Sequence, residues 1–213
     1  MNGLIALTIA GGLLLDYHWL RFGQATVSAI TWIVCLALLA RTGSRDRTAL
    51  LACLVIATAG ELFLSLVWGL YQYRLGNIPF FVPPGHVLLF YLGTQIAARV
   101  PGRATAWVAT AAIAVIGALA WSGHDTFGPL LLALFLLCLW ISPSRKLYAT
   151  MFVLSAAMEL YGTWIGNWTW SRDVPWLGLR TLNPPIGAGA FYCVLDLLVV
   201  CVTARLNRQP VPA

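Results

Sequence analysis

The sequence predicts an all-α fold: a polytopic transmembrane bundle of about eight helices, arranged as two parallel four-helix repeats. Three observations predict it. Only 9% of the 213 residues are charged and 60% are hydrophobic, whereas a soluble globular protein carries roughly 25% charged residues. Eight apolar runs of near-spanning length follow one another along the chain. A set of motifs in the first half also recurs, in order, in the second.

So few charges cannot cover a water-facing surface, so lipid is the expected solvent. The net charge is +6, but the basic residues sit between apolar runs and read as topology signals rather than a nucleic-acid footprint. Cys35, Cys53, Cys138, Cys193 and Cys201 all lie inside apolar runs with no CxxC pair. They read as small buried hydrophobes, not disulfides or zinc ligands. The N-terminal run lacks a basic leader and a cleavage site, and reads as the first helix.

The expected helices cover 3–20, 24–40, 49–72, 85–99, 104–121, 128–142, 147–165 and 186–204. The chain forms one transmembrane domain over 1–213, with repeat one over about 1–100 and repeat two over about 104–206. With the N-terminus cytoplasmic, Arg41, Arg45, Arg47, Arg99, Arg103, Arg145, Lys146, Arg205 and Arg208 fall inside, nine of the 13 basic residues. Arg21, Arg74, Arg172 and Arg180 fall outside. Lys and Arg accumulate on the cytoplasmic side, so both termini are expected in the cytoplasm of a cell carrying the protein in its inner membrane. Loops 74–84 and 166–185 then face outward.

The repeat is read from three motifs. Glu61-Leu62, Gly69-Leu70-Tyr71-Gln72-Tyr73, Pro83-Pro84 and Phe90-Tyr91 return as Glu159-Leu160, Gly166-Asn167-Trp168-Thr169-Trp170, Pro184-Pro185 and Phe191-Tyr192. Four helices per copy is an even number, so both copies leave on the side they enter and are parallel repeats. The site is expected where helices three, four, seven and eight meet.

Glu61 and Glu159 lie about twelve residues into their helices, roughly 18 Å from the inner end. A carboxylate at such depth costs about 2.5–3.5 kcal/mol on insertion scales, faces the bundle interior and has a partner. The bland reading is an interhelical hydrogen bond; the functional one is a proton donor. Ser65 and Thr163 follow their glutamates by one turn and are expected to set a hydroxyl beside each carboxyl. Asp196, in mid-helix, aligns with Gln95, and His86 aligns with Gly187; both are candidate assistants. Asp16 and His18 could join the outward cavity, while Asp125, Asp173 and Arg172 read as solvated loop charges.

Tyr71, Tyr73, Trp168 and Trp170 suit an interfacial aromatic belt. Their alternation also suits an extended stretch with both rings on one side, folding back as a lid. The Pro-Pro pairs are expected to start the next helices. Tyr91, Tyr192 and Asn183 complete the expected substrate-binding set. An acid beneath aromatic rings can protonate an alkene, with the resulting cation stabilised by ring faces by about 2 kcal/mol or more when desolvated. Histidine is too scarce for a di-iron centre. No GxSxG or P-loop is present, and neither metal nor cofactor is expected.

The order acid, Gly-x-aromatic-x-aromatic, proline and returning helix resembles membrane carotenoid-biosynthesis proteins: the acyclic carotenoid hydratases and, more remotely, the small membrane lycopene cyclases. Glu61, Gly69, Tyr71, Tyr73 and Pro83, with Glu159, Gly166, Trp168, Trp170 and Pro184, carry the resemblance over less than a third of the chain. The small cyclases place carboxylates just after a proline at a helix start; here Pro83-Pro84-Gly85-His86 and Pro184-Pro185-Ile186-Gly187 have none. The resemblance implies an apolar isoprenoid substrate. From the residues themselves, a membrane-embedded acid/base enzyme on an isoprenoid or lipid is expected, with Glu61, Glu159, Asp196 and His86 catalytic. A small-solute permease and a non-catalytic membrane partner remain the alternatives.

Overall fold

A computed structural model describes residues 1–19 and 22–206; Arg21 and Arg208, used above for topology, lie outside the described residues. The fold is an all-α bundle. Its helices are α1 (Asn2–His18), α2 (Gly23–Arg41), α3 (Ser44–Glu61), α4 (Val82–Ala97), α5 (Arg103–Trp121), α6 (Gly128–Ile141), α7 (Arg145–Ile165) and α8 (Gly189–Leu206). Four helical stretches, Gly23–Arg41, Ser44–Val67, Arg103–Trp121 and Gly189–Leu206, are long and apolar enough to cross a membrane.

The ends of the helices follow from local chemistry. α3 continues as a π-helical turn over Leu62–Val67 and stops at Gly69, whose φ of +73° suits a residue without Cβ. It therefore ends before Tyr71, which an expected span to residue 72 would have put inside the helix. α7 ends at Gly166 in the left-handed region, φ +98°. Pro83 and Pro84 occupy the first turn of α4, where a missing N–H is harmless. Pro184 and Pro185 instead precede α8, which begins only at Gly189.

Four short strands complete the chain. β1 (Tyr71–Tyr73) pairs antiparallel with β2 (Trp168–Trp170), matching Tyr71 with Trp170, Gln72 with Thr169 and Tyr73 with Trp168. β3 (Asp173–Val174) and β4 (Leu179–Arg180) form a small hairpin beside them. The strands expected to fold back as separate lids are thus one ribbon.

At the centre, α3 packs on α4 and α8, and α7 packs on α8 and α4, closing a ring of four helices. Close approach of α7 and α8 depends on Gly189, because a Cβ there would strike the Phe152 backbone. α2 lies against α4, and α6 against α8. The other two outer helices are placed differently: α1 packs on α4 and α7, α5 on α6 and α7. At the end of the bundle away from the strands, Lys146 Nζ donates to the Val100 carbonyl at 3.0 Å, tying the two basic turns together.

Several smaller expectations change. Asp125 is fully buried and its carboxylate accepts from the Gly128 N–H at 2.8 Å, capping α6 rather than standing in solvent. Cys201 is exposed, unlike the other four cysteines, because it lies on the outward face of α8. Asp173, by contrast, is exposed as expected, and faces Arg180 at 3.5 Å.

Candidate functional site

The ribbon lies across the ends of α3 and α7 and turns all four of its aromatic side chains inward. Tyr71, Tyr73, Trp168 and Trp170 are buried, while Gln72 and Thr169 between them are exposed. This is the period-2 alternation of a strand with one face packed. The buried rings meet across the ribbon, with Tyr71 and Trp170 centroids 4.8 Å apart and Tyr73 and Trp168 6.1 Å apart.

Beneath the rings lie the two buried glutamates. Tyr71 Oη donates to Glu61 Oε2 at 2.8 Å and Tyr73 Oη donates to the same oxygen at 2.7 Å. Trp168 Nε1 donates to Glu159 Oε2 at 2.7 Å and Trp170 Nε1 at 3.0 Å. Each carboxyl is therefore held by two aromatic donors from the strand that follows its own helix. Trp168 reaches Glu159 by passing close against α7 at Gly162, where any Cβ would collide with the indole.

The remaining carboxyl oxygens differ. Tyr192 Oη donates to Glu159 Oε1 at 3.1 Å. Glu61 Oε1 faces His86 Nε2 at 3.4 Å. His86 Nδ1 lies 3.0 Å from the Val82 carbonyl, which can only accept, so Nδ1 carries a hydrogen and Nε2 presents either a second hydrogen or a lone pair. A lone pair facing a carboxylate would repel it. Glu61 Oε1 and His86 Nε2 are thus placed to share one proton, at ion-pair rather than hydrogen-bond distance. The His86 ring is also stacked on Tyr192, with centroids 5.2 Å apart, which joins the two carboxyl groups into one polar cluster.

The cluster is bordered by two cavities. The narrower, about 60 Å³, lies under α1 between α4 and α7, and is reached by Thr8, Thr31, Tyr73, His86, Met158 and Trp168. The wider, about 460 Å³, lies between α3 and α8 and is lined by Ile56, Gly60, Leu64, Trp170, Phe191 and Leu195, among others. Glu61, Tyr71, His86, Glu159 and Tyr192 border both.

Of the residues singled out from sequence, Glu61, Glu159, His86, Tyr71, Tyr73, Trp168, Trp170 and Tyr192 come together here. The others do not. Ser65 Oγ donates to the Tyr71 carbonyl at 3.2 Å, because π-helical winding after Glu61 removes the one-turn stacking on which the expectation rested. Thr163 Oγ1 bonds back to the Glu159 backbone carbonyl at 2.7 Å, the usual local alternative for a helical threonine. Asn183 Oδ1 accepts from the Trp170 N–H at 2.9 Å and so fixes the end of β2 without bordering either cavity. Tyr91 packs in a separate apolar cluster with Leu50 and Val87.

Asp196 is fully buried but borders neither cavity. Asp16 faces Arg74 at 3.7 Å, and Arg74 also donates to the Asp16 carbonyl at 2.7 Å. That contact pins α1 to the chain just after β1 instead of contributing to the cavity; His18 is exposed and packs edge-on to Tyr17. Thr8, Thr31, Gly60 and Met158 escaped the sequence reading. Only Gly60 and Met158 carried a signal there, as the residues immediately preceding the two glutamates.

What the arrangement can do chemically is move one proton at Glu61–His86, beside an apolar cavity walled by aromatic faces, next to a second carboxyl held by N–H donors. Comparison with protein-family models, curated proteins and solved structures finds no match to this chain.

Proposed function

We propose that this protein is a membrane-embedded enzyme that performs acid/base chemistry on an apolar isoprenoid or lipid. The observation that carries the reading is the pairing of Glu61 with both His86 and the Tyr71–Tyr73 donors at the wall of a largely apolar cavity.

Several features support a membrane setting with all eight helices crossing. Exposed tryptophans gather near both ends of the bundle: Trp121, Trp164 and Trp176 at the strand end, Trp107 and Trp140 at the other. Two aromatic belts are the expected signature of two membrane interfaces. The basic turns around Arg41, Arg103 and Arg145 share the end opposite the strands, so that end is cytoplasmic and the ribbon faces outward. The bacterial inner membrane is the setting that fits this orientation.

In the reaction, the proton leaves Glu61 Oε1 for one carbon of a substrate alkene, and the positive charge develops on its neighbour. The new carboxylate is stabilised by the Tyr71 and Tyr73 hydroxyls, and the cation by the faces of Tyr71, Trp170 and Phe191. The cation then either adds water, which releases a proton, or loses a proton from an adjacent carbon. In both cases that proton returns to the Glu61–His86 pair, and the site is restored without a cofactor.

Lipid and pigment profiling of cells carrying the wild type, Glu61→Gln or a deletion tests this. Accumulation of one apolar precursor in both the deletion and the point variant is expected, and names the substrate. Identical profiles with folded, expressed protein would overturn the enzyme reading and make solute uptake the next assay.

A further inference from the structure

The ring of four central helices has two seams that lead to the glutamates, one between α4 and α7 and one between α3 and α8. The first is covered. α1 packs on both α4 and α7, held there by Arg74 on Asp16, by Asn167 Nδ2 donating to the Leu13 carbonyl at 3.0 Å, and by Tyr161 Oη donating to the Ala10 carbonyl at 3.0 Å. Met158, beside Glu159, helps to fill it. None of the residues lining the cavity there is exposed, and its volume of about 60 Å³ suits a few waters at roughly 10–15 Å³ of probe-occupied space each.

The second seam is built open. Among the described residues no helix packs on both α3 and α8 as α1 does on α4 and α7. Gly60, beside Glu61, takes the place that Met158 holds beside Glu159, and a Cβ added at Gly60 meets no atom within 4 Å. The rim residues Val55, Phe63 and Leu198 are exposed, whereas Ala57, Glu61, Glu159 and Trp170 at the floor are buried. The strand end of the seam is closed by rings: Trp68 stacks on Trp176 with centroids 5.9 Å apart and meets Phe191 edge-on. The opening therefore faces sideways, toward the hydrocarbon of a bilayer, and not toward water. Its volume of about 460 Å³ lies within the roughly 300–1,000 Å³ of pockets that take one small ligand.

We propose that the α3–α8 seam is a lateral portal through which a long hydrocarbon chain passes from the bilayer to Glu61 and His86, with Gly60 as its threshold. The inference rests on the lipid-phase reading above and fixes the substrate class as one that arrives dissolved in the membrane, chain first. Occupancy from the aqueous side is disfavoured by the covering α1 helix and the cluster of Trp68, Trp176 and Phe191. The π-helical turn next to Glu61 belongs to the same device. It directs Leu62, Phe63, Leu66 and Val67 outward, leaving them exposed, and departs from the tighter winding that α7 keeps beyond Glu159.

The test uses full-length protein in nanodiscs of phosphatidylethanolamine and phosphatidylglycerol. A phosphatidylcholine with a diazirine at mid-chain serves as the probe, and cross-linked residues are mapped by mass spectrometry. Labelling of the floor residues Ala57 and Leu64 is expected as well as of rim residues Val55 and Leu198. Gly60→Trp should cut floor labelling by about tenfold, equivalent to about 1.4 kcal/mol, and leave the rim unchanged. Gly60→Ala, which fits without contact, controls for folding and should retain floor labelling. Glu61→Gln should retain it too. Labelling confined to the rim in the wild type, or floor labelling that persists in folded Gly60→Trp, overturns the portal. Floor labelling with no lipid phenotype for Glu61→Gln keeps the portal and removes the enzyme; the opposite combination keeps the enzyme and removes the portal.

Discussion

Glu61 is held by two phenols and Glu159 by two indoles, and the two donors differ in what they permit. A tyrosine hydroxyl can donate or accept, so Tyr71 and Tyr73 can follow Glu61 through a change of protonation. An indole N–H can only donate. Glu159 Oε2, with Trp168 and Trp170 both aimed at it, is fixed as an acceptor in every state. Glu61 also has His86 to exchange with, whereas Glu159 has Tyr192. The same ground plan thus yields one carboxyl equipped to move a proton and one equipped to hold still. The sharpest way to break this contrast is to neutralise each acid in turn. Glu61→Gln is expected to lower turnover by about 10²–10⁴-fold, the usual worth of a general acid, with the fold intact by size-exclusion chromatography. Glu159→Gln is expected to lose less. An inverted order in the product assay would exchange the two roles.

The donor pairs sharpen the comparison next. Removing both indole N–H groups with Trp168→Phe and Trp170→Phe leaves Glu159 Oε2 buried without a donor. A buried acceptor left without a partner costs about 1–3 kcal/mol, so a clear drop in melting temperature is expected in detergent. Tyr71→Phe with Tyr73→Phe should weigh more on turnover than on melting, because His86 still faces Glu61. A melting loss as large in the tyrosine pair as in the tryptophan pair would show that both are scaffolding.

The two helices differ in the same sense at their glycines. Gly162 gives Trp168 the room to lie on α7, so Gly162→Ala forces the indole away and should cost about 1–3 kcal/mol as an overpacked site. A Cβ at Gly60 meets no atom within 4 Å, so Gly60→Ala should be stabilising by up to about 1 kcal/mol through helix propensity alone. Parallel thermal-shift curves on the two variants check the sign as well as the size.

Much of this was legible in the chain and some of it could not be. Hydropathy located seven of the eight helices to within about three residues, because apolar runs such as 130–140 have no competing pattern; the third helix begins at Ser44 rather than 49 and its π-helical end at Val67 falls short of the expected 72. The spacing of Tyr71 and Tyr73, and of Trp168 and Trp170, announced extended backbone, and both acids were marked by their depth. What sequence could not supply was contact over distance. Nothing local says that Gln72 sits opposite Thr169, or that the ribbon so formed is unchanged in register when its strands are exchanged about that pair. The π-helical turn was also hidden, since Leu62–Val67 reads as an ordinary apolar helix; that is why Ser65 was misplaced. The path of α1 over the α4–α7 seam is fixed in part by Arg74 meeting Asp16, a pairing across 58 residues that nothing local announces.

Asp196 is the last and smallest test. Its position in mid-helix made it look like a third acid of the site, yet its environment resembles neither half-site. It is fully buried, and neither carboxyl oxygen has a hydrogen-bond partner among the described residues. No aromatic donor or histidine addresses it. A carboxyl in such surroundings is placed to affect stability, not proton delivery, and substitution by a shape-matched neutral group removes little. Asp196→Asn should therefore leave turnover within about twofold of wild type, a difference in transition-state free energy well under 1 kcal/mol. If turnover instead fell as far as it does for Glu61→Gln while melting stayed constant, proton exchange would have to extend along α8 beyond Tyr192. The contrast between the two glutamates would then be one part of a longer relay.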